Sequence, residues 1–190
     1  MAENRAADYC TFRAAYPEFI YEGFDYTVTA ETVDIAYRFT VPGLAEFHPT
    51  WSIGRVRAAE FDREKLEALI FSLGMTELVS YWKIACPPRV TVRCGALDAA
   101  QKRWWKKLYR KGLGEFFYTN GIDAGEDFME IACADALPAV QPVAQPHRRT
   151  GQPRVLIPIG GGKDSAVTLR AVQTRCAAVL LSHQPAQGRT

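Results

Sequence analysis

The sequence predicts an α+β domain with an antiparallel sheet and helices, followed by the start of an α/β unit. Apolar and polar residues alternate through residues 19–41, which is typical of strands, and the apolar spacing becomes helical after Asp62. A proline-rich segment then precedes a second pattern of strand, glycine-rich turn and helix. We therefore predict an N-terminal domain at 1–133, a linker at 134–153 and a second unit at 154–190.

Composition and charge are those of a globular protein. Of the 190 residues, 48% are hydrophobic and 23% are charged, which excludes a disordered or fibrous chain. The formal net charge of +2 is too small to indicate nucleic acid or an anionic membrane as a partner. No apolar run is long enough to span a bilayer, and the first residues lack the apolar core of a secretory signal, so a cytoplasmic location is expected.

The five cysteines are expected to be free thiols. Their number is odd and no pair has C-x-x-C spacing, so neither a disulfide framework nor a zinc site is indicated. Most are expected to be small core residues. They are Cys10, Cys86, Cys94, Cys133 and Cys176.

The first strands are predicted from period-two alternation of aromatic and β-branched residues. Residues 19–28 and 33–41 form an antiparallel hairpin or meander in this interpretation, joined by a short connection at 30–32. Residues 51–56 are a candidate for a further strand.

The next elements are predicted to be helices separated by one strand. Asp62 is expected to cap a helix that Gly74 interrupts, with a second helical stretch beginning at Thr76. Pro87 ends this stretch because proline donates no backbone hydrogen bond. Residues 89–93 alternate as a strand, and Asp98 caps another helix that reaches Gly112 or Gly114.

Residues 112–123 have an unusual composition, with three glycines, three consecutive aromatic residues and an Asn-Gly turn signal. The segment is too apolar for an ordinary solvated loop. Two interpretations stay open, a connector packed into the core and a loop that lines a pocket.

The second unit is predicted to be a β-α-β arrangement of a parallel sheet. Residues 154–159 form an apolar strand, residues 166–172 are helical and residues 177–181 form a second strand. Such a unit cannot bury both faces alone, so we expect an incomplete domain and a chain that is a fragment or a frameshift product near Arg175.

The glycine-rich turn between strand and helix predicts a phosphate-binding loop. Residues without a Cβ let backbone amides approach an anion, and the following helix presents its positive N-terminal end. Lys163 adds a charge and Ser165 a hydroxyl donor. The full turn is Gly160, Gly161, Gly162, Lys163, Asp164 and Ser165.

The loop fits neither of two common nucleotide motifs. Asp164 follows Gly162-Lys163 where a kinase-type P-loop needs Ser or Thr, and Ser165 fills the last glycine position of a dinucleotide fingerprint. The turn resembles the S-G-G-x-D-S loop of the PP-loop, or N-type ATP pyrophosphatase, enzymes, with Gly160 replacing the first serine. This resemblance implies that the α/β unit begins a PP-loop domain that holds the pyrophosphate of ATP while an acceptor is adenylated.

Three sequence blocks, at 81–88, 112–123 and 158–165, together resemble the bacterial UDP-N-acetylmuramoyl-L-alanyl-L-glutamate epimerase (MurL) family over most of residues 10–173. The resemblance implies ATP-dependent inversion of the terminal L-Glu of UDP-MurNAc-L-Ala-L-Glu, with release of AMP and pyrophosphate, in peptidoglycan precursor synthesis. It implies ATP and Mg²⁺ as cofactors and the UDP-MurNAc-dipeptide as substrate.

In this interpretation the loop residues have separate roles. Gly160, Gly161, Gly162 and Ser165 bind the pyrophosphate, Lys163 neutralises phosphate charge, and Asp164 orients Mg²⁺ or caps the helix. The sequence does not identify the epimerising base. Chemically able residues, each expected to be structural when taken singly, are Lys83, Cys86, Cys94, Glu115 and Asp123.

Other residues are expected to be structural. The three histidines are expected at ordinary surface or core positions, and Trp104, Trp105 and Tyr109 in a core stripe. The basic residues of the same helix are expected on a solvated face that is also able to attract a nucleotide-linked substrate; they are Lys102, Arg103, Lys106, Lys107, Arg110 and Lys111. The histidines are His48, His147 and His183. Two alternative functions stay open: another adenylating PP-loop enzyme, and a non-catalytic fragment acting as a substrate-binding or interaction module.

Overall fold

The computed structural model describes residues 2–54, 62–133, 154–159, 162–173 and 177–182. The chain divides into two compact units, Met1–Val143 and Ala144–Thr190. The predicted linker at 134–153 lies outside the described residues, so the predicted boundaries at 133 and 154 stay predictions.

The first unit is built on one mixed sheet of six strands. The strand order is β3-β2-β1-β5-β6, and β4 also pairs with β2. The strands are β1 (Glu18–Val28), β2 (Thr32–Val41), β3 (Ala45–Phe47), β4 (Thr50–Gly54), β5 (Arg89–Val92) and β6 (Glu130–Cys133). The predicted hairpin is confirmed, because β1 and β2 are antiparallel from Ile20 opposite Thr40 to Val28 opposite Val33.

The predicted α+β fold is confirmed, but the predicted antiparallel sheet is mixed. Strand β5 pairs in parallel with both β1 and β6. Helices lie in the chain before and after β5, and crossovers of this length are what parallel pairing requires. Alternation of side chains shows which face is buried but carries no information about strand direction.

Four helices belong to this unit, among the residues that the structure describes. They are α1 (Ala2–Ala15), α2 (Arg63–Trp82), α3 (Ala99–Gly112) and α4 (Gly114–Asn120). Asp62 caps α2 by accepting from the Glu64 amide, and Asp98 caps α3 through a reciprocal box with Gln101, so both predicted N-termini are confirmed. Helix α1 was not predicted, although Tyr9, Phe12 and Tyr16 have the spacing of one helical face.

The predicted break at Gly74 is wrong, because α2 runs through it without interruption. A Cβ at this position would lie 2.0 Å from the Tyr21 hydroxyl oxygen and 2.7 Å from Cε1 of Tyr37. The glycine therefore serves the packing of α2 onto the sheet. The helix is joined to the sheet by the Tyr37 hydroxyl, which donates to the Ile70 carbonyl at 2.9 Å.

The core lies between the sheet and its helices and is rich in aromatic side chains. Phe19, Tyr21, Tyr37 and Phe39 of the hairpin and Trp82 of α2 are fully buried. The Tyr21 and Phe39 rings meet edge to face with centroids 5.0 Å apart, an arrangement that adds to the burial of apolar area.

The second unit contains β7 (Arg154–Ile159), α5 (Lys163–Gln173) and β8 (Ala177–Ser182). The strands pair in parallel from Arg154 opposite Ala177 to Ile159 opposite Ser182, which confirms the predicted β-α-β unit. Whether this unit begins a PP-loop domain stays a prediction. Within the part of the chain that the structure describes, no helix has the length and apolarity needed to cross a bilayer.

Candidate functional site

A cleft of about 210 Å³ opens on the first unit where three segments meet. The lining comes from helix α1, from the turn after α2, and from α4 with the residue that follows its cap. Two of these segments belong to the sequence blocks 81–88 and 112–123. The lining consists of Asp8, Tyr9, Phe12, Lys83, Ile84, Ala85, Cys86, Phe116, Asn120 and Ile122.

The turn that follows α2, residues 83–86, is held by hydrogen bonds on both sides. Trp82 is fully buried, and its indole Nε1 donates a 2.8 Å hydrogen bond to the Pro87 carbonyl. The Cys86 amide donates back to the Trp82 carbonyl at 2.8 Å. Cys86 has φ of 49°, a left-handed conformation that costs a non-glycine residue about 1–3 kcal/mol and is common where ligands bind.

Arg13 connects α1 to the 83–86 turn through hydrogen bonds. Its Nη1 donates to the Cys86 carbonyl at 2.5 Å and its Nη2 to the Phe128 carbonyl at 2.8 Å. The same guanidinium lies 5.0 Å from the centroid of the Tyr9 ring, a cation–π contact. Burial raises the pKa of Tyr9, which outweighs the lowering effect of Arg13. No local sequence signal marks this arginine, because its partners are distant in the chain.

Helix α4 divides its aromatic residues between core and cleft. Phe117 is buried against Phe128 with ring centroids 5.6 Å apart, whereas Phe116 lines the cleft and Tyr118 is 88% exposed. Gly121 ends the helix with φ of 64°. The segment 112–123 is therefore largely helical rather than a loop, and it both packs into the core and lines a pocket.

Asn120 is the last residue of α4, and its side-chain amide is held by a hydrogen bond. Its Nδ2 donates to the Phe116 carbonyl at 2.8 Å, and the Ile122 amide donates to the Phe117 carbonyl at 2.9 Å just beyond it. Among the residues that the structure describes, none donates to Oδ1 of Asn120. The cleft thus presents an amide whose Nδ2 is held and whose Oδ1 accepts from no described residue.

The structure brings together two of the five candidate bases. Lys83 and Cys86 line the cleft, whereas Cys94, Glu115 and Asp123 do not. Burial raises the pKa of the Cys86 thiol to about 12 against a smaller lowering by Arg13, and burial raises that of Cys94 to about 12 as well. Both thiols are therefore protonated at neutral pH and neither is a ready proton acceptor.

The described cysteines and histidines form no metal centre, although Asp25 and Asp34 line a second recess, of about 320 Å³, beside β2 and β4. Cys10, Cys86, Cys94 and Cys133 are free thiols, as predicted, while Cys176 lies outside the described residues. Among described residues no cluster of His, Cys, Asp or Glu is able to hold a metal ion. His48 is exposed, 3.7 Å from Glu46, and His147 and His183 lie outside the described residues.

Helix α3 buries fewer of its aromatic residues than predicted. Trp105 and Tyr109 are buried, but Trp104 is 57% exposed, so the predicted core stripe contains only two of its three members. The reason is geometric, because adjacent helical positions are rotated by about 100° and one face cannot bury both tryptophans equally.

The predicted phosphate loop is described in part. Gly160 and Gly161 lie outside the described residues, and Gly162 precedes the first turn of α5. Lys163 and Asp164 are exposed in that turn and Ser165 is half-buried. An ammonium, a hydroxyl and the amides of a helix start are donors that suit phosphate, and the exposed carboxylate suits Mg²⁺, so these residues fit an ATP-magnesium ligand.

The described residues define a mixed α+β unit that carries a recess of about 210 Å³, followed in the chain by a β-α-β unit. Residues 11–185 match the family of MurL N-terminal domains, and the chain belongs to that family. The chain is similar to the UDP-N-acetyl-alpha-D-muramoyl-L-alanyl-L-glutamate epimerase of Xanthomonas oryzae pv. oryzae (strain MAFF 311018), with 34% identity over 96 residues. That match covers 50% of this chain but only 20% of the relative. No solved structure matches the chain.

Proposed function

We propose that this chain forms the N-terminal part of an ATP-dependent epimerase of peptidoglycan precursor synthesis, which inverts the terminal L-Glu of UDP-MurNAc-L-Ala-L-Glu. The observation that carries the proposal is the cleft. Two separated sequence blocks, 81–88 and 112–123, resemble the epimerase family, and residues from both line this one recess. Membership of the MurL N-terminal family and the name of the Xanthomonas relative support the substrate.

The chemistry explains why an epimerase would need a phosphate loop. An α-hydrogen beside a free carboxylate is hardly acidic, because its removal places a second negative charge next to the first. Converting the carboxylate to an acyl adenylate removes its charge and makes the α-proton easier to abstract. ATP, when bound, would supply the adenylyl group for this activation, with pyrophosphate as the leaving group. Return of a proton to the opposite face of the α-carbon and hydrolysis of the anhydride by water would then give D-Glu and AMP.

Within this proposal the residues of the β-α-β unit bind the leaving pyrophosphate. Amides at Gly160, Gly161 and Gly162 and the Ser165 hydroxyl would donate to its oxygens, and the Lys163 ammonium would offset its charge. Asp164 is the second residue of α5, so it lies inside the helix rather than at the N-cap position. This position favours the magnesium role over the capping role.

The first unit supplies recognition in the same proposal. Its recess is lined by the 83–86 turn, to which Arg13 connects α1, and by Asn120, whose amide is held by the Phe116 carbonyl. A recognition module without catalysis is the second candidate function, and the hydrophobic core formed by described residues of the first unit alone favours it. The two candidates differ only in whether turnover occurs.

A turnover assay separates them. UDP-MurNAc-L-Ala-L-Glu is incubated with ATP and Mg²⁺, and both AMP release and glutamate chirality are followed. The assay compares this chain, the full-length Xanthomonas relative, and a chimera in which this chain replaces the matching N-terminal segment of that relative. We expect AMP and D-Glu from the relative and the chimera.

Matched variants of the chimera test the loop. Lys163→Ala should abolish most turnover, whereas Lys107→Ala on the exposed face of α3 should leave it unchanged. Substrate binding without AMP or D-Glu from the chimera would refute the catalytic proposal and favour the recognition module.

A further inference from the structure

The lining of the cleft indicates which part of a nucleotide-linked substrate it accepts, an inference that rests on the proposed function. Asp8 and Lys83 contribute opposite charges, so the lining has no net formal charge. Apolar side chains, Phe12, Phe116 and Ile122 among them, contribute slightly more of the lining than polar atoms do. A ligand group that suits this surface is uncharged and has apolar faces.

The parts of UDP-MurNAc-L-Ala-L-Glu differ greatly in these respects. The diphosphate and the terminal glutamate, with its two carboxylates, carry more negative charge than one lysine offset by an aspartate would balance. The amino sugar presents hydroxyls and an acetamido group that require several polar partners. Uracil is planar and uncharged, and it has π-faces that pack against aromatic side chains.

The size of the cleft agrees with a single ring. Its volume of about 210 Å³ is below the range of about 300–1,000 Å³ that is usual for drug-sized ligands. The recess is therefore suited to a base and the adjoining edge of a ribose rather than to a whole nucleotide sugar.

We propose that the cleft between α1, the 83–86 turn and α4 binds the uracil of the substrate, packed against Phe116 and hydrogen-bonded through Asn120. The imide N3–H of uracil donates to Oδ1 of Asn120, the acceptor that no described residue uses. Because Nδ2 is already held by the Phe116 carbonyl at 2.8 Å, the amide is positioned before the ligand arrives.

The two charged side chains then have complementary roles towards the rest of the nucleotide. Among described residues, no acidic group lies within 4.0 Å of Lys83, and its side chain is exposed, so its ammonium is available to the phosphate nearest the ribose. Asp8 is exposed as well, and carboxylates accept from ribose hydroxyls in nucleotide sites.

The test is calorimetric titration of the 190-residue chain with UDP, and with CDP as the comparison ligand, since the two share the ribose and the diphosphate. We expect UDP to bind more tightly than CDP, because cytosine has an acceptor at N3 where uracil has the N–H that would donate to Oδ1 of Asn120. Asn120→Leu and Phe116→Leu should each weaken UDP binding by about tenfold, the equivalent of one lost hydrogen bond or ring contact. Tyr118→Leu is the matched control, since Tyr118 belongs to the same helix but is 88% exposed and does not line the cleft.

A second measurement does not depend on the variants being folded. Irradiation of the unaltered chain with 5-iodo-UDP should label peptides that contain Tyr9, Phe12 or Phe116. Labelling confined to other peptides, or equal affinity of the cleft variants and the control for UDP, would place the base elsewhere and overturn the inference.

The outcomes also separate this inference from the proposed function. Turnover by the chimera without UDP binding at the cleft would refute the uracil site alone. Cleft-dependent UDP binding without turnover would support the uracil site while refuting the epimerase assignment.

Discussion

The hydroxyl oxygen of Tyr21 lies 2.0 Å from the point that a Cβ at position 74 would occupy. This relationship explains why a glycine stands in the middle of a long helix. Substituting Gly74 by Ala would favour the helix by about 0.8–1.0 kcal/mol of intrinsic propensity. Its methyl group, however, would clash with the fully buried side chains of Tyr21 and Tyr37.

We predict that Gly74→Ala lowers the free energy of unfolding by about 2 kcal/mol, because the cost of overpacking exceeds the gain in propensity. Urea denaturation followed by circular dichroism measures the change. The control is Gly112→Ala at the end of α3, where a Cβ would meet nothing within 4 Å. A Gly74→Ala protein as stable as the control would contradict this prediction and show that the Tyr21 side chain can move aside at little cost.

The second prediction concerns the attachment of α1. Arg13→Met removes both donors to the Cys86 and Phe128 carbonyls while keeping much of the apolar stem. Hydrogen bonds from charged groups contribute about 1.5–3 kcal/mol, and part of that stability should be lost. Faster amide hydrogen exchange in α1 and in the 83–86 turn would report the loosening. Arg103→Met on the exposed face of α3 is the control, and equal exchange in both variants would contradict the structural role of Arg13.

The local elements were predictable because their signals are local. The alternation in β2 and the Asp98 cap lie within a few residues of the structure that they specify. Gly74 was misinterpreted because the residue that requires it, Tyr21, is far away in the sequence. Parallel pairing of β5 with β1 is non-local in the same sense.

The candidate site also combines residues with local sequence signals and residues that only distant contacts bring together. Lys83 and the 112–123 segment were identified from composition, yet nothing in the sequence indicated that they would share a recess. Arg13 completes that recess through partners 73 and 115 positions away. Tyr9 and Asp8 entered the site only because α1 was found, although the aromatic spacing of 9, 12 and 16 would have revealed a helix.

The third prediction is a loss of stability at alkaline pH. Burial raises the pKa of Cys86 and Cys94 from the ordinary value of 9.0 to about 12 in the folded protein. Above pH 9 the unfolded chain releases these protons while the folded chain retains them, so stability present below pH 9 declines up to about pH 12. Each thiol contributes a slope of up to about 1.4 kcal/mol per pH unit.

Denaturant unfolding at several values between pH 8 and pH 11 measures this slope. Cys94→Ala should reduce the slope relative to the unaltered protein, whatever its effect on stability at pH 8. Cys10→Ala is the control because Cys10 is exposed. An identical slope in all three proteins would assign the alkaline loss to other groups.

The last prediction concerns the glycine-rich turn of the second unit. If Lys163 neutralises phosphate charge, inorganic pyrophosphate with Mg²⁺ should bind this chain, and Lys163→Ala should weaken binding by about tenfold, as expected for one lost charge-assisted contact. The affinity should fall as salt concentration rises, because the exposed ammonium of Lys163 is screened. Lys106→Ala on α3 carries the same loss of charge and serves as the control. Equal weakening by both variants would indicate a general effect of net charge, and it would remove the support for a phosphate site at residues 160–165.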